Sequence, residues 1–453
     1  MKSKFADHKN LLTLAWPLII ANSFWNLQIT IDRIFLGQYS TESLGAAVAV
    51  MGIFWTPMAL LQQTAAYSTT FVAQYLGAKK MNMIGSTVWQ SIYISIIGGL
   101  AFLLLIPMAE VIFHFIDHDE KLQILEIEYF SSLCWSALPT AIVAAVSSFY
   151  TGLGKTKTIV AINFVGLISN VLFDYLLIFG NWGFPEMGIY GAGLATSLAA
   201  LVAAIFGLAI IFRPEYERLY QIRTAWRMNL DLLKRFLKYG IPSGLQWALE
   251  GLAFSFFLII VGKMPNGPSA LAASGISVTI MMLAVLPTIG LAQAVSVEVG
   301  KHIGEGAPEL AERSTWVGLH ISLVYMFLIG SSFVFFPQFY LNWFNNSANQ
   351  GVWQEISAMV PTLLMFLASF TLFDSLNFIF SFCLKGAGDT RFVSLVALTL
   401  PWPLMVLPTW LMKDFDDAIY YSWGAASVFI AIQGLVFAWR FKQGRWKKMS
   451  VIR

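Results

Sequence analysis

The sequence predicts an all-α integral membrane protein, with twelve transmembrane helices arranged as two pseudo-symmetric six-helix bundles. Three observations carry that prediction: an apolar composition, an alternation of basic residues between loops, and four pairs of matching stretches in the two halves. The chain has 453 residues, 57% hydrophobic and 12% charged, with a mean hydropathy of +0.68. A soluble chain of ordinary composition is about 25% charged, so lipid solvates most of this one.

A spanning helix needs about 20 apolar residues. The apolar runs divide into twelve spans at 11–36, 44–76, 88–108, 124–151, 158–180, 188–212, 236–262, 270–299, 316–336, 354–384, 392–412 and 418–440. Several exceed the minimum length, which predicts tilt, kinks or extension beyond the bilayer. The first ten residues, MKSKFADHKN, are polar and run straight into a full-length span, so no cleavable signal peptide is expected. The two cysteines, Cys134 and Cys383, lie inside apolar spans and read as packing residues.

Net charge is only +3, but its placement is informative. Lys2, Lys4 and Lys9, the loops at 77–87, 152–157, 213–238, 300–313 and 385–391, and the tail from Arg440 onward together hold 24 of the 28 basic residues. The alternate loops and spans hold only Arg33, Lys121, Lys263 and Lys413. Basic loops stay cytoplasmic, so both termini are expected inside, in the cell (inner) membrane, and an even number of spans satisfies that parity. The opposite face is acidic in places. Its segment 116–121 carries Asp117, His118, Asp119 and Glu120 close to His114. Those are metal-ligand types, but no paired motif anchors them, and a solvated loop is the preferred reading.

The basic loop after residue 212 separates six spans from six. "LAWPLII", with Pro17, answers "KYGIPSGL", with Pro242; "SLGAAVAV" at 43–50 answers "ALAASGIS" at 270–277; "YLGAKK" at 75–80 answers "HIGEGA" at 302–307; "GLGKTK" at 152–157 answers "GAGDTR" at 386–391. The offsets are 225, 227, 227 and 234, in unbroken order. An N-lobe over 1–212, a cytoplasmic linker over 213–235, a C-lobe over 236–440 and a basic tail over 441–453 follow. Six is even, so both lobes enter the membrane in one direction, as in parallel-repeat transporters that rock about a central site. "GLGKTK" resembles the end of a phosphate-binding loop. Phe149 stands where the first glycine belongs, and two spans flank the motif, so it reads as a short turn.

A charge at mid-bilayer costs about 2.5–3.5 kcal/mol on insertion scales. Four carboxylates bear that cost. Asp174, in "NVLFDYLLIFG", has Asn170 one turn earlier on the same face. The alternative for Asp174 is that it reaches outward past the helix end near Gly180. Asp32 sits beside Arg33, and a local ion pair is its alternative. Glu250 lies eight residues past Pro242, and Asp374 is central in span 10. Asp32 and Asp174 belong to the first half, Glu250 and Asp374 to the second. A carboxylate held away from water takes a proton or holds a cation, which suits H⁺ or Na⁺ as a coupling ion. Trp25, Trp55, Tyr67 and Trp247 lie within spans and could add cation–π contacts to an organic cation; packing is the plainer reading for any one of them. Pro17, Pro57, Pro139, Pro242, Pro287 and Pro361 remove helix hydrogen bonds and permit kinks.

With "LAWPLI" in span 1, "GIYGAGLATS" at 188–197 and "LKGAGDTR" at 384–391, nearly the whole chain resembles the multidrug and toxic compound extrusion (MATE) transporters. The resemblance implies two bundles forming a V and export of organic, mostly cationic compounds in exchange for Na⁺ or H⁺. Residue by residue, Asp32, Asn170 and Asp174 match an N-lobe acidic site, and Thr196 matches a polar position near it. Glu250 and Asp374 match the span-7 and span-10 acids of the NorM-like branch, a C-lobe coupling-ion site. The chain thus resembles both patterns, leaving open both the ion and the lobe that couples. The expected partners are small organic cations or other amphiphilic drugs, and membrane lipids. No cofactor, nucleic acid, obligate protein partner or metal other than Na⁺ is expected. A lipid-linked oligosaccharide flippase of related fold is the alternative, disfavoured because the mid-span charges are acidic. An enzyme would need a nucleophile with a base or a motif such as H-E-x-x-H, and none is present.

Overall fold

The computed structural model describes residues 2–116, 119–344 and 350–452. Every regular element among them is helical. The principal helices are α1 (Lys2–Tyr39), α2 (Thr41–Gly77), α3 (Asn82–Leu103), α4 (Glu120–Cys134 continued by Ala137–Gly152), α5 (Thr156–Leu177), α6 (Gly188–Ile211), α7 (Leu230–Val261), α8 (Gly267–Glu305), α9 (Pro308–Phe335), α10 (Gln350–Ala387), α11 (Thr390–Met412) and α12 (Ala418–Lys442). Ten of them are single helices long and apolar enough to cross a membrane, and the bent α4 makes an eleventh. The twelfth, α1, is 38 residues long but less apolar, because Asn22, Asn26, Gln28, Asp32 and Arg33 interrupt its second half. The twelve spans expected from sequence are all present as helices.

Of the six prolines read as kink points, five sit inside helices that run on: Pro17, Pro57, Pro242, Pro287 and Pro361. Pro139 is the one that accompanies a break. The proline ring clashes with the carbonyl four residues back, here Trp135, and α4 bends by 42° between Cys134 and Ala137. In α11, Pro401, Pro403 and Pro408 coincide with a π-helical turn at Trp402–Val406, which gives the freed carbonyls other donors.

The chain forms two compact units. One contains Pro17–Ala248, Gly300–Gly306 and Ser450–Arg453; the other contains Met1–Trp16, Leu249–Val299 and Ala307–Met449. They follow the two sequence halves, except that α1 and α7 each change unit along their length and short end segments are exchanged. Local packing explains the two crossings. In the C-terminal unit, the start of α1 is held to α9 by an Asp7–Arg313 ion pair of 2.5 Å and an edge contact between His8 and His320. In the N-terminal unit, Phe236 of α7 stacks on Phe71 at 5.4 Å, and Gly244 lies against the Leu60 carbonyl, where a Cβ would stand 2.5 Å away. Each unit has its own apolar core, one around Phe54, Phe113 and Phe130, the other around Phe257, Phe370 and Trp423.

The internal repeat is visible in the backbone. Gly154 and Gly388, from the paired "GLGKTK" and "GAGDTR" turns, have φ of 73° and 110°. Lys79 and Gly306, also equivalent, have φ of 56° and 75°. "GLGKTK" is therefore a short turn between α4 and α5, as expected. The ends of α2 and α8 cross reciprocally within the N-terminal unit: a Cβ on Gly77 would collide with the Lys301 carbonyl, and one on Gly304 with the Gln74 carbonyl. Those partners are themselves repeat equivalents. Small residues let helix backbones approach this closely. The Gln74 side chain, fully buried, accepts hydrogen bonds at Oε1 from Ser450 Oγ and from the Val451 amide, both 2.9 Å.

Gly77→Val and Gly304→Val are each expected to cost about 1–3 kcal/mol by overpacking and to lower the thermal midpoint in detergent by several degrees. Gly45→Ala, with no atom within 4 Å of the added Cβ, should leave the midpoint unchanged or slightly raised. Equal midpoints for all three variants would refute the tight crossing.

Candidate functional site

The α5–α6 hairpin builds the first acidic cluster. Met187 N–H donates to the Leu177 carbonyl at 2.9 Å and Gly188 N–H to that of Ile178 at 3.3 Å, closing the turn. Gly188 has φ of 53° and sits against the Tyr39 ring. Gly191 lies on the Leu177 carbonyl, with 2.5 Å left for a Cβ, and Gly193 lies on Ser132 of α4. The glycines of "GIYGAGLATS" thus let α6 press against α5 and α4, and this seats Thr196 beside the acids.

Asp32 from α1, Asn170 and Asp174 from α5, and Thr196 from α6 come together. Asn170 and Asp174 have no exposed surface and Asp32 is 8% exposed. Asp174 does not reach outward past the helix end. The surrounding partners assign the Asn170 amide nitrogen toward both acids; it donates to Asp32 Oδ1 at 2.8 Å and to Asp174 Oδ2 at 3.3 Å. Asp32 is also within hydrogen-bonding reach of Asp174 and Thr196. Arg33 also acts on Asp32 electrostatically. Asp174 Oδ1 is buried with no hydrogen-bond partner. Buried polar atoms are nearly always paired, so this oxygen stands out as an acceptor left unused.

The second cluster lies in the C-terminal unit. Glu250 comes from α7, Asp374 and Asn377 from α10, and Gln433 from α12. Gln433 Nε2 donates to Glu250 Oε1 at 2.8 Å. Asn377 Nδ2 donates to Gln433 Oε1 at 3.3 Å, and Asn377 is hydrogen-bonded to Asp374. Glu250 and Asp374 also act on each other electrostatically. Each sequence-predicted pair of acids is therefore brought together, one pair in each unit.

The aromatic candidates are dispersed. Trp25 and Trp55 pack at a tilt in the N-terminal unit with ring centroids 4.8 Å apart, and both keep exposed surface. Tyr67 is buried edge-on to Phe71 at 6.1 Å. Trp247 is half-buried, one turn before Glu250. Cys134 and Cys383 are free and buried, consistent with packing. Asp117 and His118 lie outside the described residues; among the described residues, no group of three His, Cys, Asp or Glu could hold a metal.

Sequence reasoning missed four residues. Tyr129 of α4 is buried within electrostatic reach of both Asp32 and Asp174. Asn377 is three residues past Asp374, on the same helix face. Gln433 is a lone amide in the apolar run "FIAIQGLVF". Asn377 follows from the rule applied to Asn170; Gln433 does not, because no acid lies on its own helix. Lys385 was counted as a loop residue. It belongs to the last turn of α10, is 5% exposed, and places its Nζ 3.9 Å from the Phe382 ring centroid.

A family model described as MatE matches residues 17–176 and 242–411, one stretch in each half, beginning at the paired prolines. A probable multidrug resistance protein NorM of Mesorhizobium japonicum is 27% identical over 403 residues, covering 87% of this chain and 86% of that protein. A protein of the same description from Thermotoga maritima is 24% identical over 450 residues, covering 98% and 94%. The crystal structure of MATE in complex with MaL6 superposes with a TM-score of 0.88 at 20% identity, covering 98% of both chains. An outward-facing multidrug resistance MATE family transporter of the MOP superfamily gives 0.87 at 20% identity, covering 98% of this chain and 97% of that one. These likenesses establish the twelve-helix, two-bundle fold.

Asn170→Leu strips a donor from two buried carboxyls and is expected to cost about 1–3 kcal/mol of stability. In an Asp174→Asn background the same change should cost less, by more than about 0.5 kcal/mol. Strict additivity in thermal or denaturant unfolding would mean that Asn170 does not hold the pair together.

Proposed function

We propose, from the premise that this chain belongs to the MatE family of multidrug efflux transporters, that it is a secondary active antiporter. It exports organic, mostly cationic compounds against Na⁺ and/or H⁺ by alternating access. It lies in the cell (inner) membrane with both termini cytoplasmic, and the charge map is the support for that orientation. The lobes are the two six-helix halves on either side of the 213–235 linker.

One observation supports the mechanism above the others: two carboxyl groups in contact, sealed from solvent, with Asp174 Oδ1 left open. Two such groups cannot both stay ionised without a cation between or beside them. H⁺ satisfies the pair by bridging it. Na⁺, a hard cation that takes oxygen ligands, finds carboxylate oxygens from Asp32 and Asp174, the Thr196 hydroxyl, and the Asn170 carbonyl once that amide turns over. Either ion replaces donors of the resting network. Different affinity for the ion in the two access states is all that a shift between them requires. Glu250 and Asp374 supply the second coupling-ion site. Trp25, Trp55, Tyr67 and Trp247 supply aromatic surface for the organic cation.

The buried charged side chains among the described residues are Asp32, Glu126, Asp174, Asp374 and Asp389, against Lys385 alone. That balance suits cations and opposes a phosphate-bearing lipid, so the flippase alternative is not adopted.

Asp174→Asn and Asp374→Asn are each expected to slow efflux of ethidium from intact cells roughly tenfold, the scale of one lost charged interaction. Normal efflux by both, at matched expression, defeats the mechanism. In proteoliposomes, a Na⁺ gradient and a pH gradient imposed separately identify the driving ion; if neither drives uptake or release, antiport is wrong.

A further inference from the structure

We infer that Gln433 is the positioning residue of the second acidic site, fixing Glu250 and joining it to Asp374 through Asn377. The inference rests on the reading that these acids handle the coupling ion, and it adds the element that makes them one site rather than two.

The dipeptide Gln433–Gly434 builds the junction. Gly434 has no side chain, and a Cβ there would stand 2.8 Å from the Phe373 carbonyl of α10. Its absence lets α12 lie directly on α10 at the turn that carries Asp374 and Asn377. Gln433, 1% exposed, then spans three helices with one side chain: its nitrogen serves Glu250 on α7 and its oxygen receives Asn377 on α10. Asn377 passes the connection to Asp374.

An amide has fixed polarity. With its oxygen engaged by Asn377, Gln433 can turn only N–H bonds toward Glu250. It also does not relay protons as a water or an acid would. A charge-assisted hydrogen bond is roughly twice as strong as a neutral one, so Gln433 favours Glu250 as a carboxylate, ready for a cation. Asp374 and Lys385 are the charged groups that also act through Glu250 in this unit. This arrangement differs from the first site, where the two acids meet directly and one oxygen is open.

The test is ethidium efflux in proteoliposomes, followed as a function of coupling-ion concentration, for the wild type, Gln433→Leu and Glu250→Gln. Gln433→Leu is expected to shift the ion concentration for half-maximal efflux about tenfold, beyond whatever stability the loss of its two buried hydrogen bonds costs. In a Glu250→Gln background it should shift nothing further. A purely structural glutamine would lower expression and stability without moving the ion dependence. Should Gln433→Leu not fold, Gln433→Met carries the same expectation, and the exchanged pair Glu250→Gln with Gln433→Glu should restore part of the ion dependence. An unshifted concentration, or a shift that adds in full to that of Glu250→Gln, overturns the inference. If Glu250→Gln itself changes neither rate nor ion dependence, the second site fails as a coupling site and Gln433 fails with it; if Glu250→Gln shifts the dependence and Gln433→Leu does not, only the role of Gln433 falls.

Discussion

A carboxylate that cannot reach water must be supplied with partners, and this molecule supplies them in two ways. Around Asp32 and Asp174, the second acid and an asparagine do the work, and the set remains one donor short at Asp174 Oδ1. Around Glu250 and Asp374, two linked amides each bond one acid. Charge away from water is costly in either unit. The solutions differ in what they leave for an incoming cation.

Both solutions depend on helices that approach closely, and glycine sets that distance. Gly191 and Gly193 let α6 reach α5 and α4; Gly434 lets α12 reach α10. In a membrane there is no hydrophobic drive between helices, so contact follows from close packing and from polar bonds across the gap. A glycine next to a polar residue therefore serves both requirements at once: the backbone closes in, and the polar group then reaches its partner.

Much of this was legible in one sequence. Twelve spans follow from hydropathy, and one of the repeat pairs turns out to share a positive-φ glycine, Gly154 and Gly388. The four acids were visible because a charge in an apolar run demands an account. Uncharged amides gave a weaker signal: Asn377 and Gln433 cost less to bury than an acid, so their presence raised no question. Lys385 was misplaced because a basic residue near a helix end reads as a loop residue, although its stem packs inside and its ammonium group rests on Phe382. The unit changes along α1 and α7 had no sequence mark. They arise from contacts such as Phe236 with Phe71 and Asp7 with Arg313, which link residues far apart in the chain.

The end of the chain has a practical side. Trp446 is fully buried and stacked on Phe441, Lys447 pairs with Glu312 at 2.5 Å, and Val451 has no exposed surface while its amide bonds to Gln74. An affinity handle or fluorescent reporter appended after Arg453 starts two residues from that buried valine. A short extension there puts its bulk and mobility on the Gln74 anchor, so a spacer of flexible residues belongs between this protein and anything fused to it.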